Sequence, residues 1–175
     1  MEEKSKIIRL LNESVEQFNA IIATLNEQEF EVNINQRWSA GQDLVHLVKL
    51  LKIVNIAFLI PKPILYLLYG KNKRESKSLE ALRTLYKNAL VGGAKSPSLY
   101  IPKPVQYKDK QFLMNKHCKL NDLFAQKINN LSDKALDSYR LPHPILGKIS
   151  LRELAIFTSF HTVHHIELLK SKLGK

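Results

Sequence analysis

Apolar residues recur along this chain in steps of three and four, a period that predicts helices rather than strands. Between Lys4 and Asn26, Ile8, Leu11, Val15, Phe18, Ile22 and Leu25 form one stripe that no proline or glycine interrupts. A second helix is predicted from Ser39 to about Ile60, where Pro61 ends it. Ser39 and Gln42 have the spacing of a capping box, in which each side chain satisfies a free backbone N–H group. Leu44, Leu47, Leu51, Val54 and Phe58 make one stripe of this helix, and His46, Leu50, Ile53 and Ala57 make another beside it. A helix apolar over so much of its circumference belongs at the centre of the molecule. The third helix runs from about Lys108 to Asn130, its stripe carried by Leu113, His117, Leu120, Phe124 and, just past its end, Leu131. The fourth starts at a second capping box, Ser150 and Glu153, flanked by a hydrophobic staple of Ile149 and Leu154, and runs to about Leu173. No segment shows clean two-residue alternation, so no strand is predicted.

Residues 61–106 break the pattern. They hold five of the seven prolines (Pro61, Pro63, Pro97, Pro102 and Pro104), the pair Gly92-Gly93, and a short helix around Ser78–Val91. Leu79, Leu82, Leu85, Tyr86 and Leu90 would tie that helix down. The fold class expected is all-α: an antiparallel four-helix bundle with a long, partly helical crossover between helices two and three. One domain is expected to span residues 1–175, with 61–106 as a basic crossover insertion.

Composition narrows the function classes. The chain has 175 residues, 45% hydrophobic and 25% charged, as in an ordinary globular protein. Its single cysteine permits no intrachain disulfide, which fits a reducing compartment. The polar start, Met1-Glu2-Glu3-Lys4, does not read as a secretory signal, and Lys49, Lys52, Pro61, Lys62 and Pro63 interrupt the most apolar stretch, so no membrane span is expected. A soluble cytoplasmic protein is the default expectation. The net charge is +11, and residues 61–110, with eleven basic and three acidic side chains, carry +8 of it. A solvated lysine-rich surface is the simpler reading of that segment. No nucleic-acid motif or regular aromatic interleaving accompanies the lysines, so no specific nucleic-acid partner is predicted.

The candidate chemistry lies in His161-Thr162-Val163-His164-His165. On a helix, His161 and His165 share a face, with Cβ atoms roughly 5–6 Å apart. On the fourth helix they fall in one arc with Leu154 and Leu168, the buried face. His46 lies on an apolar stripe of the second helix and is the best third partner. Neutral imidazole is a good ligand for zinc, nickel, copper or iron, and three histidines leave positions open for water or substrate. Two histidines four apart are also a common accident, and a core histidine satisfied by a hydrogen bond fits that spacing too. The zinc-protease pattern is absent, because Thr162 stands where a glutamate is required, and Glu167 projects from the far side.

Two stretches sharpen this. Arg37-Trp38-Ser39-Ala40-Gly41-Gln42-Asp43-Leu44-Val45-His46-Leu47 resembles the start of helix two in the DinB/YfiT-like superfamily. His143 through Leu154, followed by Phe160-His161-Thr162-Val163-His164-His165, is similar to that family's last loop and helix. The resemblance implies a four-helix bundle, often a homodimer, with His46, His161 and His165 binding a divalent metal. Zinc or nickel is expected. It also implies a range of activities, from thiol S-transferases that use low-molecular-weight thiols to metal-dependent hydrolases. A metal-dependent transferase acting on a small-molecule substrate, with a small thiol as partner, is favoured over a hydrolase. A non-catalytic metal- or ligand-binding protein and a basic interaction module are the alternatives. No catalytic side chain is assigned.

Other residues receive plainer expectations. His164 is placed on the flank of the histidine pair, His117 in the core with a backbone hydrogen bond, and His143 in a loop-ordering role close to where a cavity could form. Cys118 is expected to be structural and Trp38 a packing anchor. Tyr66, Tyr69, Tyr86 and Tyr100 are expected mainly to pack the crossover onto the bundle.

Overall fold

The computed structural model describes residues 3–33, 37–94 and 97–174. Met1 and Glu2 of the polar start, and Lys95 and Ser96 of the crossover, lie outside them. Four long helices carry the fold: α1 (Lys4–Thr24), α3 (Ala40–Ala57), α6 (Lys110–Asn130) and α8 (Leu151–Leu173). Shorter helices join them: α2 (Glu27–Glu31), α4 (Lys62–Tyr69), α5 (Leu79–Val91) and α7 (Asp133–Ser138). Both predicted capping boxes are formed, at Ser39 with Gln42 and at Ser150 with Glu153. A third opens α2, where Asn26 pairs with Glu29. The α1 stripe is buried as predicted except in its first turn, where Ile7 rather than Ile8 takes the core position four residues before Leu11. Within α5, Leu82 and Tyr86 are buried, whereas Leu85 faces solvent.

The four helices form a bundle in which α1 and α3 each pack against both α6 and α8. The direction of each helix follows from its ends. Lys4, at the start of α1, bonds the carbonyls of Asn129 and Leu131, and Asn19 bonds Met114, so α1 and α6 run antiparallel. Lys172 near the end of α8 reaches Trp38 and Asp43 at the start of α3, so those two are antiparallel as well. The crossover returns the chain to the end where α3 began. As a result α6 lies alongside α3 in the same direction: Leu44 and Leu47 share a core cluster with Leu113 and Met114, and Lys127 bonds Asn55. The length of residues 61–106 follows from this geometry, since a chain that must start α6 beside the start of α3 has to travel back along the bundle.

A two-stranded antiparallel sheet, β1 (Arg140–His143) and β2 (Gly147–Ser150), corrects the expectation that no strand forms. Its strands have four residues each and β1 contains Pro142, too short and irregular for the alternation rule to register. The loop between them closes on His143, whose Nδ1 accepts the backbone N–H groups of Ile145 and Leu146 at 3.2 and 3.1 Å.

Ion pairs fix the start of α8, which sets where its histidines fall. Arg152, almost fully buried, pairs with Asp133 at 2.6 Å and Asp137 at 2.7 Å. Glu153, fully buried, accepts two hydrogen bonds from the Arg74 guanidinium at 2.6 and 2.9 Å and one from the backbone N–H of Lys77. Burial raises the Glu153 carboxyl's pKa, but these donors together hold it below its ordinary value. The crossover is thereby pinned to the N-terminus of α8. Among the described residues no single helix is long and apolar enough to cross a membrane, and α3 and α4 meet at an angle of 97°.

Candidate metal centre

His46 comes from the second turn of α3, and His161 and His165 from successive turns of α8. The structure brings all three together: each is buried, and their nearest ring nitrogens lie within 4.8 Å of one another. The closest pair, Nε2 of His46 and Nε2 of His161, is 3.1 Å apart. Two nitrogens of a tetrahedral site with metal–nitrogen bonds of ~2.0–2.1 Å are separated by roughly 3.3 Å, so this spacing suits a shared ion.

The outer hydrogen bonds set the tautomers. His46 Nδ1 lies 3.1 Å from the Tyr100 carbonyl oxygen, which can only accept, so the proton sits on Nδ1 and the Nε2 lone pair faces the cluster. His165 Nδ1 donates in the same way to Asp43 Oδ1 at 3.0 Å. This is the carboxylate–histidine arrangement that orients metal ligands. Among the described residues His161 has no hydrogen-bond partner at its buried Nδ1, and stacking on Phe157, with ring centroids 4.9 Å apart, holds its ring instead. Burial lowers the pKa of all three imidazoles, and for His161 and His165 the neighbouring histidines lower it further, well below the ordinary value. At neutral pH they are therefore uncharged, the state that ligates metals. Three neutral, converging imidazoles, two with fixed tautomers, fit a divalent ion.

Asp43, to which the sequence pattern assigns no part in the histidine cluster, belongs to it in the structure. It accepts from His165 and also pairs with Lys172, whose ammonium bonds the Trp38 carbonyl oxygen as well. Burial pushes the Asp43 carboxyl above its ordinary pKa, against the pull of the Lys172 ammonium. The one available signal was its place three residues before His46, on the same face of the helix start.

The cluster forms part of the wall of a cavity of about 590 Å³. Leu50, Ile53, Ala57, Leu154 and Leu168 give it apolar walls, so the second stripe of α3 faces this space. His164 lines it too, with its ring 5.8 Å from that of Tyr86, and so stands beside the histidine pair yet in the site. Tyr69, Tyr86 and Tyr100 also line the cavity, whereas Tyr66 is exposed. Burial raises the Tyr86 phenol to about 12, which keeps it protonated. Trp38 lines the cavity as well as packing: its ring lies 5.0 Å from that of His46 and stacks near-parallel on His165 at 6.4 Å.

His143 orders its loop as expected and also lines the cavity. Because its Nδ1 accepts two backbone N–H groups, its proton sits on Nε2, which makes it a neutral donor. Burial pushes its pKa down to about 4. His117 is a core residue, but its Nδ1 donates to the Asn19 side chain at 2.9 Å rather than to the backbone, and it does not line the cavity. Cys118 is exposed and accepts a hydrogen bond from Asn19.

Among known proteins, a sequence model of the DinB superfamily matches residues 10–169. No curated protein sequence matches the chain significantly. Among solved structures the chain is similar to YfiT from Bacillus subtilis, with a TM-score of 0.62 and 16% identity, covering 98% of this chain and 88% of that one. That protein is described as "a probable metal-dependent hydrolase with an unusual four-helix bundle topology". At that identity the likeness is one of fold.

Proposed function

The chain belongs to the DinB superfamily, and we propose that it is a divalent-metal-dependent enzyme acting on a small, largely apolar substrate, with His46, His161 and His165 as the metal ligands. One observation carries this reading: three buried, neutral imidazoles converge on the wall of a large apolar cavity. When bound, a zinc or nickel ion there supplies a Lewis acid that lowers the pKa of a group it coordinates.

The chain's own side chains then divide the remaining work. Asp43 holds the His165 ring in place and keeps its Nδ1 protonated. The Tyr100 carbonyl oxygen does the same for His46. Leu50, Ile53 and Leu154 keep water away from much of the cavity and bind apolar groups. His143 offers an N–H donor with which to orient a polar atom of the substrate. Arg37, which lines the cavity, attracts carboxylate groups, whereas the Lys172 ammonium is already held by Asp43 and the Trp38 carbonyl oxygen.

Between transferase and hydrolase, the ionisable groups favour transfer of a thiol sulfur to an electrophilic carbon. Asp43 is the only carboxylate lining the cavity among the described residues, and His165 and Lys172 already occupy it. A metal-bound water would itself ionise near neutral pH, but hydrolysis then needs a side chain to give a proton to the leaving group. A thiol of lowered pKa loses its proton to solvent, and its thiolate needs no such acid when it displaces a stable anion from the electrophilic carbon. Arg37 suits a carboxylate of a small peptide-like thiol. The second reading, a hydrolase, is favoured by the description of YfiT.

Metal-loaded and chelator-treated protein assayed with a panel of small thiols and electrophiles distinguishes these. Metal-dependent thiol consumption that His46→Ala abolishes supports the transferase. Metal-dependent ester or amide cleavage without thiol supports the hydrolase. Absence of turnover in both arms contradicts the enzymatic reading.

A further inference from the structure

The outer face of the elbow between α3 and α4 has no role in the site and no cover in the fold. Ile56, Leu59, Ile64, Leu67 and Leu68 all lie exposed within thirteen consecutive residues, Leu59 at 66% and Leu67 at 83%. Single exposed apolar residues need no explanation, but a contiguous group marks an interaction surface. Within the segment itself the charges are of one sign. From Leu44 to Arg74 the sequence contains no aspartate or glutamate and six basic residues. Arg74 is committed to Glu153, Lys49 donates to the Ile101 carbonyl oxygen, and half-buried Lys62 donates to that of Phe58. Lys52, Lys71 and Lys73 remain exposed on the rim, with Lys71 Nζ 5.7 Å from the centroid of the Tyr66 ring.

We propose that this elbow docks the protein on an anionic lipid bilayer. Leu59, Ile64, Leu67 and Leu68 would enter the boundary between headgroups and acyl chains, and Lys52, Lys71 and Lys73 would meet lipid phosphates. Apolar residues with a lysine rim are the composition that binds acidic membrane surfaces. The eight residues of α4 extend about 12 Å, enough to lie in the interface and far too short to cross it. A second copy of the chain suits the face poorly. A two-fold pairing of elbows brings two lysine rims together, and residues 44–74 offer no carboxylate to neutralise them. The inner side of the elbow, at Ala57, Ile60 and Tyr69, walls the apolar cavity. Docking therefore places that cavity beside the phase in which apolar compounds concentrate.

The test is vesicle flotation of the full chain, using phosphatidylcholine vesicles with and without about 30% phosphatidylserine. Binding is expected only with phosphatidylserine, and it weakens as salt is raised. The double variant Leu59→Ser/Leu67→Ser and the triple variant Lys52→Glu/Lys71→Glu/Lys73→Glu are each expected to lower the partition coefficient at least about tenfold. All five side chains are exposed, so both variants keep the wild-type circular dichroism spectrum and melting temperature. Three results would overturn the proposal: no flotation with anionic vesicles, flotation that either variant leaves unchanged, or a concentration-dependent dimer in sedimentation that Leu59→Ser/Leu67→Ser dissolves. None of these outcomes depends on metal binding or turnover, so the docking proposal stands or falls apart from the enzymatic one.

Discussion

Replacing Asp43 by asparagine keeps the side chain's shape and removes one charge from a buried chain of contacts running from Lys172 through Asp43 to His165, one of the three proposed metal ligands. Two effects follow, and they can be separated. The first is on metal affinity. The amide oxygen of the variant can still accept the His165 Nδ1–H that Asp43 accepts at 3.0 Å, but it no longer raises the basicity of the ring with a full negative charge. Changes of this kind lower metal affinity about 10–100-fold, or roughly 1.4–2.7 kcal/mol. The second is on stability. The side chains of Lys172 and Asp43 are 6% and 2% exposed, so the substitution leaves a buried ammonium without its counter-charge. Removing one partner of a buried pair costs about 3–5 kcal/mol. Adding Lys172→Met to Asp43→Asn removes the orphaned charge, and most of the lost stability should return while metal affinity stays low. Competition with a chromophoric chelator measures the affinity, and chemical denaturation in chelator measures the stability. Asp43→Asn binding metal within about threefold of wild type, well inside the loss expected of such a residue, would refute this role for Asp43. Lys172→Met alone weakening binding as much as Asp43→Asn would refute it equally.

Other predictions test separate parts of the account. A Cβ at Gly41 would lie 2.7 and 2.9 Å from two carbons of the Phe30 ring, which is fully buried. Gly41→Ala should therefore destabilise the protein in urea titration, because overpacking costs about 1–3 kcal/mol and helix propensity returns at most about 1. Adding Phe30→Leu should relieve part of the loss. Burial holds His117 at about 4 in the folded chain, below its ordinary 6.5. Between these values the unfolded chain binds a proton that the folded chain does not. The stability contribution is thus complete above pH 6.5 and falls by about 3 kcal/mol as the pH drops to 4. His117→Gln should show a correspondingly flatter acid limb. Trp38, the only tryptophan, lies against His46 and His165. Copper(II) titration should quench its emission to a defined end point, and His165→Ala should remove that end point.

What was legible in the sequence is local. Helix starts are written in the three-residue spacing of Ser39 with Gln42 and Ser150 with Glu153, and both boxes form. The apolar stripes located the core, and the inward placement of His46, His161 and His165 follows from the same periodicity. The rest depends on contacts between residues far apart in the chain. Asp43 reads as an ordinary first-turn acid until the far end of α8 arrives beside it with His165 and Lys172. Trp38 reads as an anchor for the same reason, and His164 as a bystander until Tyr86, from the crossover, packs against it. The parallel run of α3 and α6 is a consequence of where the crossover delivers the chain, which no helix period encodes.

His46, His161 and His165 are proposed to hold one divalent ion, and elemental analysis of the protein purified without a metal-binding tag decides whether they do. The prediction is about one zinc or nickel ion per chain in the wild type, as for a three-histidine site, and loss of nearly all of it in His46→Ala and in His161→Ala. A wild type with only trace metal, or variants that keep the full complement, would contradict it.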